Sequence, residues 1–381
     1  MSRFFDLISK PAREMGGYTP NVMPVPAAER QRLIKLDSNE NPFGPSPRAI
    51  DAMRSALAAT NYYPDDDCSP LRLKLAAHHN LPPEQVLVTA GSTALLSLLC
   101  QTLLGPGLNA ITSERSFIVY SLAAHAAGAR LIETPMSGDA FDLEAVLRAI
   151  DADTRLVFLA NPNNPTGTML EAGVVERFLA RIPGHVVVVL DEAYYDFARY
   201  FASLRRIPYS RSLDYVRQGL SVVVLRTFSK AHGLAGLRLG YGLGPAELLS
   251  YCARMRNTFS VSSVAQAAAL AAIDDHAHIQ RVVESNAAQA QILARSLPEL
   301  GYRVVPTAAN FVFCDLGHNA ASFTRALQQE GVSVRPLGAW GAPNCIRVTI
   351  GTPEQNQVFL KAARKVAPGN STVGRQVSGR V

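Results

Sequence analysis

Short apolar runs rich in β-branched residues alternate with stretches of helical period along most of this chain. Residues 86–89, 108–111, 130–133, 155–160, 185–190 and 221–225 read as buried strands. Between them the period predicts helices over 49–59, 69–79, 120–127, 143–150 and 171–181, and one opened by Gly91-Ser92-Thr93 and running through Leu104. Ser46 followed by Pro47 has the chemistry of an N-cap and first helical residue. Strands this short and apolar, separated by helices, form βαβ units and a mostly parallel sheet flanked by helices. The predicted fold class is α/β.

The pattern changes at both ends. Residues 1–45 are rich in proline and weak in periodicity, as expected for an extended arm that packs on a small domain or on a partner subunit. Helices are predicted over 262–273 and 279–297. They are followed by strand 310–315, helix 320–330, strands 332–335 and 345–350, and helix 353–366. The predicted organisation is a large domain over 46–275, a smaller α+β domain over 276–367, and a polar, disordered tail over 368–381.

Composition narrows the function. Of the 381 residues, 48% are hydrophobic and 18% charged, the balance of a globular protein with a large core. No apolar run approaches the roughly 18 residues of a membrane span, and Phe4-Phe5-Asp6-Leu7-Ile8 is too short and polar for a signal-peptide core. The net charge of +6 is dispersed, without a basic run interleaved with aromatics. Nucleic acid and membrane are therefore not the expected partners, whereas small anionic substrates are. Cys68, Cys100, Cys252, Cys314 and Cys345 are odd in number and lack CxxC spacing. That argues against disulfides and zinc and for a reducing cytoplasm. His78 and His79 close a predicted helix, where they favour its C-terminal dipole over metal binding.

Three consecutive strands end in polar constellations. Strand 155–160 runs into Asn161-Pro162-Asn163-Asn164-Pro165-Thr166-Gly167, and strand 185–190 into Asp191-Glu192-Ala193-Tyr194-Tyr195. Strand 221–225 runs into Arg226-Thr227-Phe228-Ser229-Lys230, with Arg238 eight residues after the lysine. In a parallel sheet the carboxyl ends of strands are where ligands bind. A lysine forms Schiff bases when burial or nearby cations lower its pKa, and an arginine holds phosphate in a two-point fork. A Schiff-base lysine inside a phosphate cradle is what pyridoxal phosphate requires, since one ring carries both aldehyde and phosphate. Ser92 and Thr93 add N–H groups and hydroxyls at a helix N-terminus. Gly240-Tyr241-Gly242-Leu243-Gly244 lacks the G-x-G-x-x-G spacing and is not a dinucleotide loop.

Five motifs carry a resemblance. They are Asn39-Glu40-Asn41-Pro42-Phe43-Gly44-Pro45-Ser46, the run Asn161 to Gly167, Asp191-Glu192-Ala193-Tyr194, Ser229-Lys230 with Gly233-Leu234-Ala235-Gly236 and Arg238, and Ile346-Arg347-Val348-Thr349-Ile350-Gly351-Thr352. On these the chain, from about Leu36 to Val366, resembles the class I/II, fold-type I pyridoxal-phosphate aminotransferases. Within that group it is most similar to the histidinol-phosphate aminotransferases. The resemblance implies a homodimer with shared active sites, an amino-acid donor such as glutamate, and a 2-oxo or keto acceptor. It implies that Lys230 carries the cofactor and moves the proton, that Asp191 faces the pyridine nitrogen, and that Asn164 and Tyr194 bond the ring hydroxyl. Tyr120 is expected to stack on the ring, and Ser92, Thr93, Thr227, Ser229 and Arg238 to hold the phosphate. Tyr63 is expected to reach the neighbouring subunit's phosphate. Arg347 matches the α-carboxylate clamp, Arg335 the arginine for a distal phosphate, and Tyr18 and Asn39 border the substrate. Arg115-Ser116-Phe117 departs from the usual Pro-Thr-aromatic beside the substrate pocket. Transamination of aromatic amino acids, or a threonine-phosphate decarboxylase-like lyase on the same scaffold, are the neighbouring activities. A cofactor-binding protein without catalysis fits poorly with so complete a catalytic set.

Overall fold

The computed structural model of the protein describes residues 4–14 and 33–367. The expectations for Tyr18 and for the tail lie outside those residues. Among the described residues no helix is long and apolar enough to cross a membrane, and no group of three or more His, Cys, Asp or Glu is arranged to hold a metal.

Fourteen strands are described: β1 (Ile34–Leu36), β2 (Val86–Thr89), β3 (Asn109–Ser113), β4 (Arg130–Thr134), β5 (Met136–Ser137), β6 (Ala140–Phe141), β7 (Thr154–Ala160), β8 (Val187–Asp191), β9 (Val222–Thr227), β10 (Gly240–Leu243), β11 (Arg303–Val305), β12 (Phe311–Asp315), β13 (Val332–Pro336) and β14 (Cys345–Thr349). Seven form the main sheet in the order β2-β10-β9-β8-β7-β3-β4. It is parallel except for β10, which runs antiparallel to both neighbours. The continuous Val-Val-Val-Leu of β8 and of β9 is what a central strand covered on both faces needs. β10 had no strand signature because two of its four residues, Gly240 and Gly242, are glycine and Gly244 follows it. A Cβ on Gly240 would stand 2.4 Å from the Ser92 nitrogen, so the strand must be bare to lie against the helix start.

The second sheet, β1-β13-β14-β12-β11, is antiparallel except for the edge pair β1–β13. Part of the expected arm is therefore a sheet strand of the smaller layer. The helix His276–Ser296 begins three residues earlier than the period predicted and is capped by the Asp275 side chain on His278 N–H. Tyr195–Arg205, a helix whose amphipathic signal was overlooked in the sequence, sends Ala198, Phe201 and Ala202 into the core of the smaller layer. The two layers thus share a core as well as a linker. Ser46 caps Pro47–Ala56 by accepting from Ala49 N–H at 3.2 Å, as its sequence signature implies.

What this architecture does for function is align β7, β8 and β9. Ala160 pairs with Asp191, and Asp191 with Leu225, so their carboxyl ends finish level. A buried ion pair locks the last two: Arg226 donates to Glu192 Oε2 from Nε at 3.1 Å and Nη2 at 2.9 Å. The Arg226 guanidinium also lies 3.5 Å from the Tyr195 ring centre. Removing either partner would strand a buried charge, a loss of about 3–5 kcal/mol.

Candidate active site

Past those strand ends lies a cavity of about 790 Å³, walled by the main sheet, by residues 38–40 and by β13 and β14. Lys230 stands in it. Its Nζ approaches the carbonyls of Ser38 at 3.4 Å and Asn39 at 3.3 Å. Burial, with Arg347 nearby, lowers the Lys230 pKa from 10.5 to about 8. This amine is therefore far more available as a base or nucleophile than a surface lysine.

Asp191 is buried at the end of β8. Its Oδ2 accepts from the Tyr120 hydroxyl at 2.9 Å and its Oδ1 from the Ala193 N–H at 3.1 Å. Burial raises its pKa, and these two hydrogen bonds oppose the rise. Tyr194 accepts at its hydroxyl from Asn39 Nδ2 at 2.8 Å, which leaves its own proton free to donate. Asn39 can do this because its backbone takes φ +55° and its N–H donates to Thr349 Oγ1 at 2.8 Å.

Tyr120 needs a correction. It was expected to stack on a cofactor ring, yet its side chain is fully buried and its ring lies against Phe158, 4.7 Å between centres and nearly parallel. One ring face is taken by Phe158 and the hydroxyl by Asp191, although the residue also borders the cavity. Tyr120 therefore orients the carboxylate. Phe117, partly buried and edge-on to Tyr120, also lines the cavity and is an aromatic that could cover a planar ligand. The triplet Arg115-Ser116-Phe117 carried that signal.

The anion cradle is built on a helix start. Gly91, at φ +84°, precedes Ser92–Leu103 with no side-chain cap, so the first N–H groups of that helix face outward. A Cβ on Gly91 would come within 2.7 Å of Arg238 Nη2, so the glycine makes room for the guanidinium. Across from it, Thr227 Oγ1 donates to Ser229 Oγ at 3.0 Å, and Arg238 Nη1 reaches Ser229 Oγ at 3.5 Å. Two hydroxyls, a guanidinium and free N–H groups form the donor set of a phosphate site, and the lysine beside it suits an aldehyde. These residues fit pyridoxal phosphate.

Arg347 and Arg335 close the cavity from the second sheet. Arg347 is buried, donates to Asn164 Oδ1 at 2.5 Å and to the Asp37 carbonyl at 3.0 Å. Asn164, expected at a ring hydroxyl, thus has its oxygen engaged by Arg347 and only its amide N–H left to offer. Arg335 is half-buried and donates to the Asp37 carbonyl from Nε at 3.4 Å. Tyr63 is not in this cavity. It is 82% exposed and stacks on Phe259 at 4.5 Å between centres. Among the lining residues that escaped sequence reasoning are Glu40 and Trp340. Glu40 lay within the quoted Asn-Glu-Asn motif, while Trp340 sat in a loop without pattern.

Residues 31–362 match the family model for aminotransferase class I and II. The chain is 42% identical to histidinol-phosphate aminotransferase 2 of Pseudomonas aeruginosa over 96% of its own length and 99% of that protein's. It is 40% identical to the Methylococcus capsulatus histidinol-phosphate aminotransferase 2, over 93% of this chain and 96% of that one. The crystal structure of the Sinorhizobium meliloti histidinol-phosphate aminotransferase in complex with pyridoxal-5'-phosphate superposes with a TM-score of 0.85 at 29% identity, covering 95% of this chain and 98% of that one. Thermus thermophilus aspartate aminotransferase with maleate, 24% identical and covering 94% and 99% of the two chains, shares the fold with a TM-score of 0.79.

Proposed function

The chain belongs to the class I and II aminotransferase family, and we propose that it moves an amino group between glutamate and the couple of histidinol phosphate and imidazole acetol phosphate. One observation supports this reading above others: a second arginine, Arg335, stands beside Arg347 in the cavity that holds Lys230. Arg347 suits the α-carboxylate of glutamate. Histidinol phosphate has no such carboxylate and carries a phosphate instead, for which Arg335 supplies a guanidinium.

The cofactor is pyridoxal phosphate, which when bound supplies an aldehyde carbon for the amino group and an electron-withdrawing ring. Ser92, Thr93, Thr227, Ser229 and Arg238 hold its phosphate. Asp191 would offer its negative charge to the ring nitrogen, and Tyr120 fixes the direction of that carboxylate. Tyr194 directs its hydroxyl proton, and Asn164 its amide, toward the ring oxygen. Phe117 covers the ring. Lys230 would be the residue that holds the cofactor's aldehyde, and its amine is the base that would move a proton at the substrate Cα. A lowered pKa suits both tasks, because the amine must be neutral to act.

The large and small domains, divided near residue 276, bring the two halves of this site together, with the segment around Asn39 belonging to both. The functional unit is a homodimer in which Tyr63, too exposed to serve its own cavity, reaches the partner's phosphate cradle. The five thiols are all buried and unpaired, which suits a reducing compartment.

Incubation with histidinol phosphate and 2-oxoglutarate should form glutamate. Carbon dioxide release from threonine phosphate, without glutamate, would instead make the chain a lyase.

A further inference from the structure

The charges lining the active-site cavity are unequal. Lys230, Arg238, Arg335 and Arg347 face two carboxylates, Asp191 and Glu40. Asp191 is buried and committed to Tyr120 and to the Ala193 N–H. Glu40 is held differently. Its partner is Lys35 Nζ at 2.8 Å, and the two side chains are 44% and 55% exposed. A pair that open contributes little and exchanges readily.

The backbone beneath Glu40 is fixed on two sides. Asn310 Nδ2, from the small domain, donates to the Asn39 carbonyl at 3.0 Å and the Glu40 carbonyl at 3.5 Å. Asn41 Nδ2 donates to the Ala231 carbonyl at 2.8 Å, one residue past the lysine. Only the Glu40 side chain is left to move. Its carboxylate is close enough to Lys230 to offset part of the depression of that amine's pKa.

We propose that Glu40 is a specificity residue: its carboxylate leaves Lys35 and accepts a hydrogen bond from the ring N–H of the substrate's imidazole. The inference rests on the histidinol-phosphate reading above. With the phosphate drawn to Arg335, the ring must find its partner elsewhere in the cavity, whose charged acceptors are Asp191, already engaged, and Glu40. Glu40 supplies a charged acceptor. A benzene ring has no N–H to give, so it would desolvate Glu40 without compensation. Sites built around a buried hydrogen bond reject analogues that lack the matching group. Glu40 would thus separate an imidazole substrate from an aromatic amino acid of similar size.

The test compares holoenzymes carrying wild-type Glu40, Glu40→Gln and Glu40→Ala in single-turnover half-reactions. The substrates are histidinol phosphate, phenylalanine and glutamate. The expected result is a fall in the preference for histidinol phosphate over phenylalanine of roughly 10- to 100-fold in Glu40→Ala, the value of one hydrogen bond to a charged group. The loss should lie in the saturation constant more than in the limiting rate. Glu40→Gln keeps an acceptor oxygen and should lose less. Lys35→Ala frees the carboxylate and should hold or raise the preference. An unchanged preference in both Glu40 variants, or equal losses with all three substrates, overturns the proposal while leaving the reaction assignment intact. A wild-type enzyme inert toward histidinol phosphate overturns the assignment and the role of Glu40 with it.

Discussion

Arg335 and Arg347 stand directly opposite each other on the antiparallel strands β13 and β14, and both donate to the carbonyl of Asp37. Like charges in cross-strand register are destabilising unless something binds between or beside them. The arrangement is that of a site for two anionic groups, or for one anion at a time from two substrates.

Arg347→Ala should therefore damage the glutamate half-reaction severely, by about 2–5 kcal/mol, because it removes a buried partner of the α-carboxylate. It also releases Asn164, so some loss with every substrate is expected. Arg335→Ala should be selective, costing the phosphorylated substrate far more than glutamate. Rate constants for each half-reaction, followed by cofactor absorbance, separate the two. Identical losses across substrates in both variants would mean that these arginines act through folding.

Lys230 makes a prediction about stability. Its folded-state pKa of about 8 lies below the ordinary 10.5, so the folded chain disfavours the ammonium form. Above 10.5 the amine is neutral folded or unfolded and no penalty exists. The penalty grows as pH falls toward 8 and is complete below it. In cofactor-free protein, Lys230→Met should raise the thermal midpoint near neutrality and raise it less at high pH. The same variant should have no transaminase activity. A shift of midpoint independent of pH would assign the effect to packing alone.

Tyr120→Phe removes one of the two donors that hold down the Asp191 pKa. The carboxylate should then protonate more readily, weakening its charge at the ring nitrogen. A rise of about 1–3 kcal/mol in the rate-limiting barrier is expected, with little change in stability because the ring still packs on Phe158. The check is turnover together with a pH titration of the cofactor absorbance. Turnover equal to wild type would mean that the tyrosine hydroxyl does not tune Asp191.

These residues mark where sequence was readable. The valine-rich strands announced the parallel sheet, and the polar residues directly after them announced the cavity, because chain order and strand polarity bring such ends together. Lys230, Asp191 and Arg238 were expected in it on that ground, whereas Arg347, inside β14 of the second sheet, was expected only from the resemblance. Tyr120 misled because an aromatic three places from another on a helix start offers two candidates, and only packing assigns one to Phe158 and one to the cavity. β10 was hidden because its glycines answer to the neighbouring helix start. Asn39, by contrast, was marked by turn chemistry, and its positive φ is where that chemistry leads.

Tyr63 tests the assembly. With 82% of its surface exposed and its ring stacked on Phe259, it lies outside the lining of the cavity in its own described subunit. Mixing Lys230→Ala and Tyr63→Ala proteins, each inactive or impaired, should restore activity once subunits exchange, because one site of each mixed dimer keeps both residues. Exchange proved by a tag, without recovery, would place Tyr63 outside the catalytic apparatus.

The most direct measurement of the central claim is the single-turnover rate of wild-type holoenzyme with histidinol phosphate, phenylalanine and glutamate under the same conditions. The cavity with Arg335 beside Arg347 predicts conversion of the cofactor to its amino form by histidinol phosphate and by glutamate, with phenylalanine slower than either. Phenylalanine as the fastest donor, with histidinol phosphate inert, would contradict it.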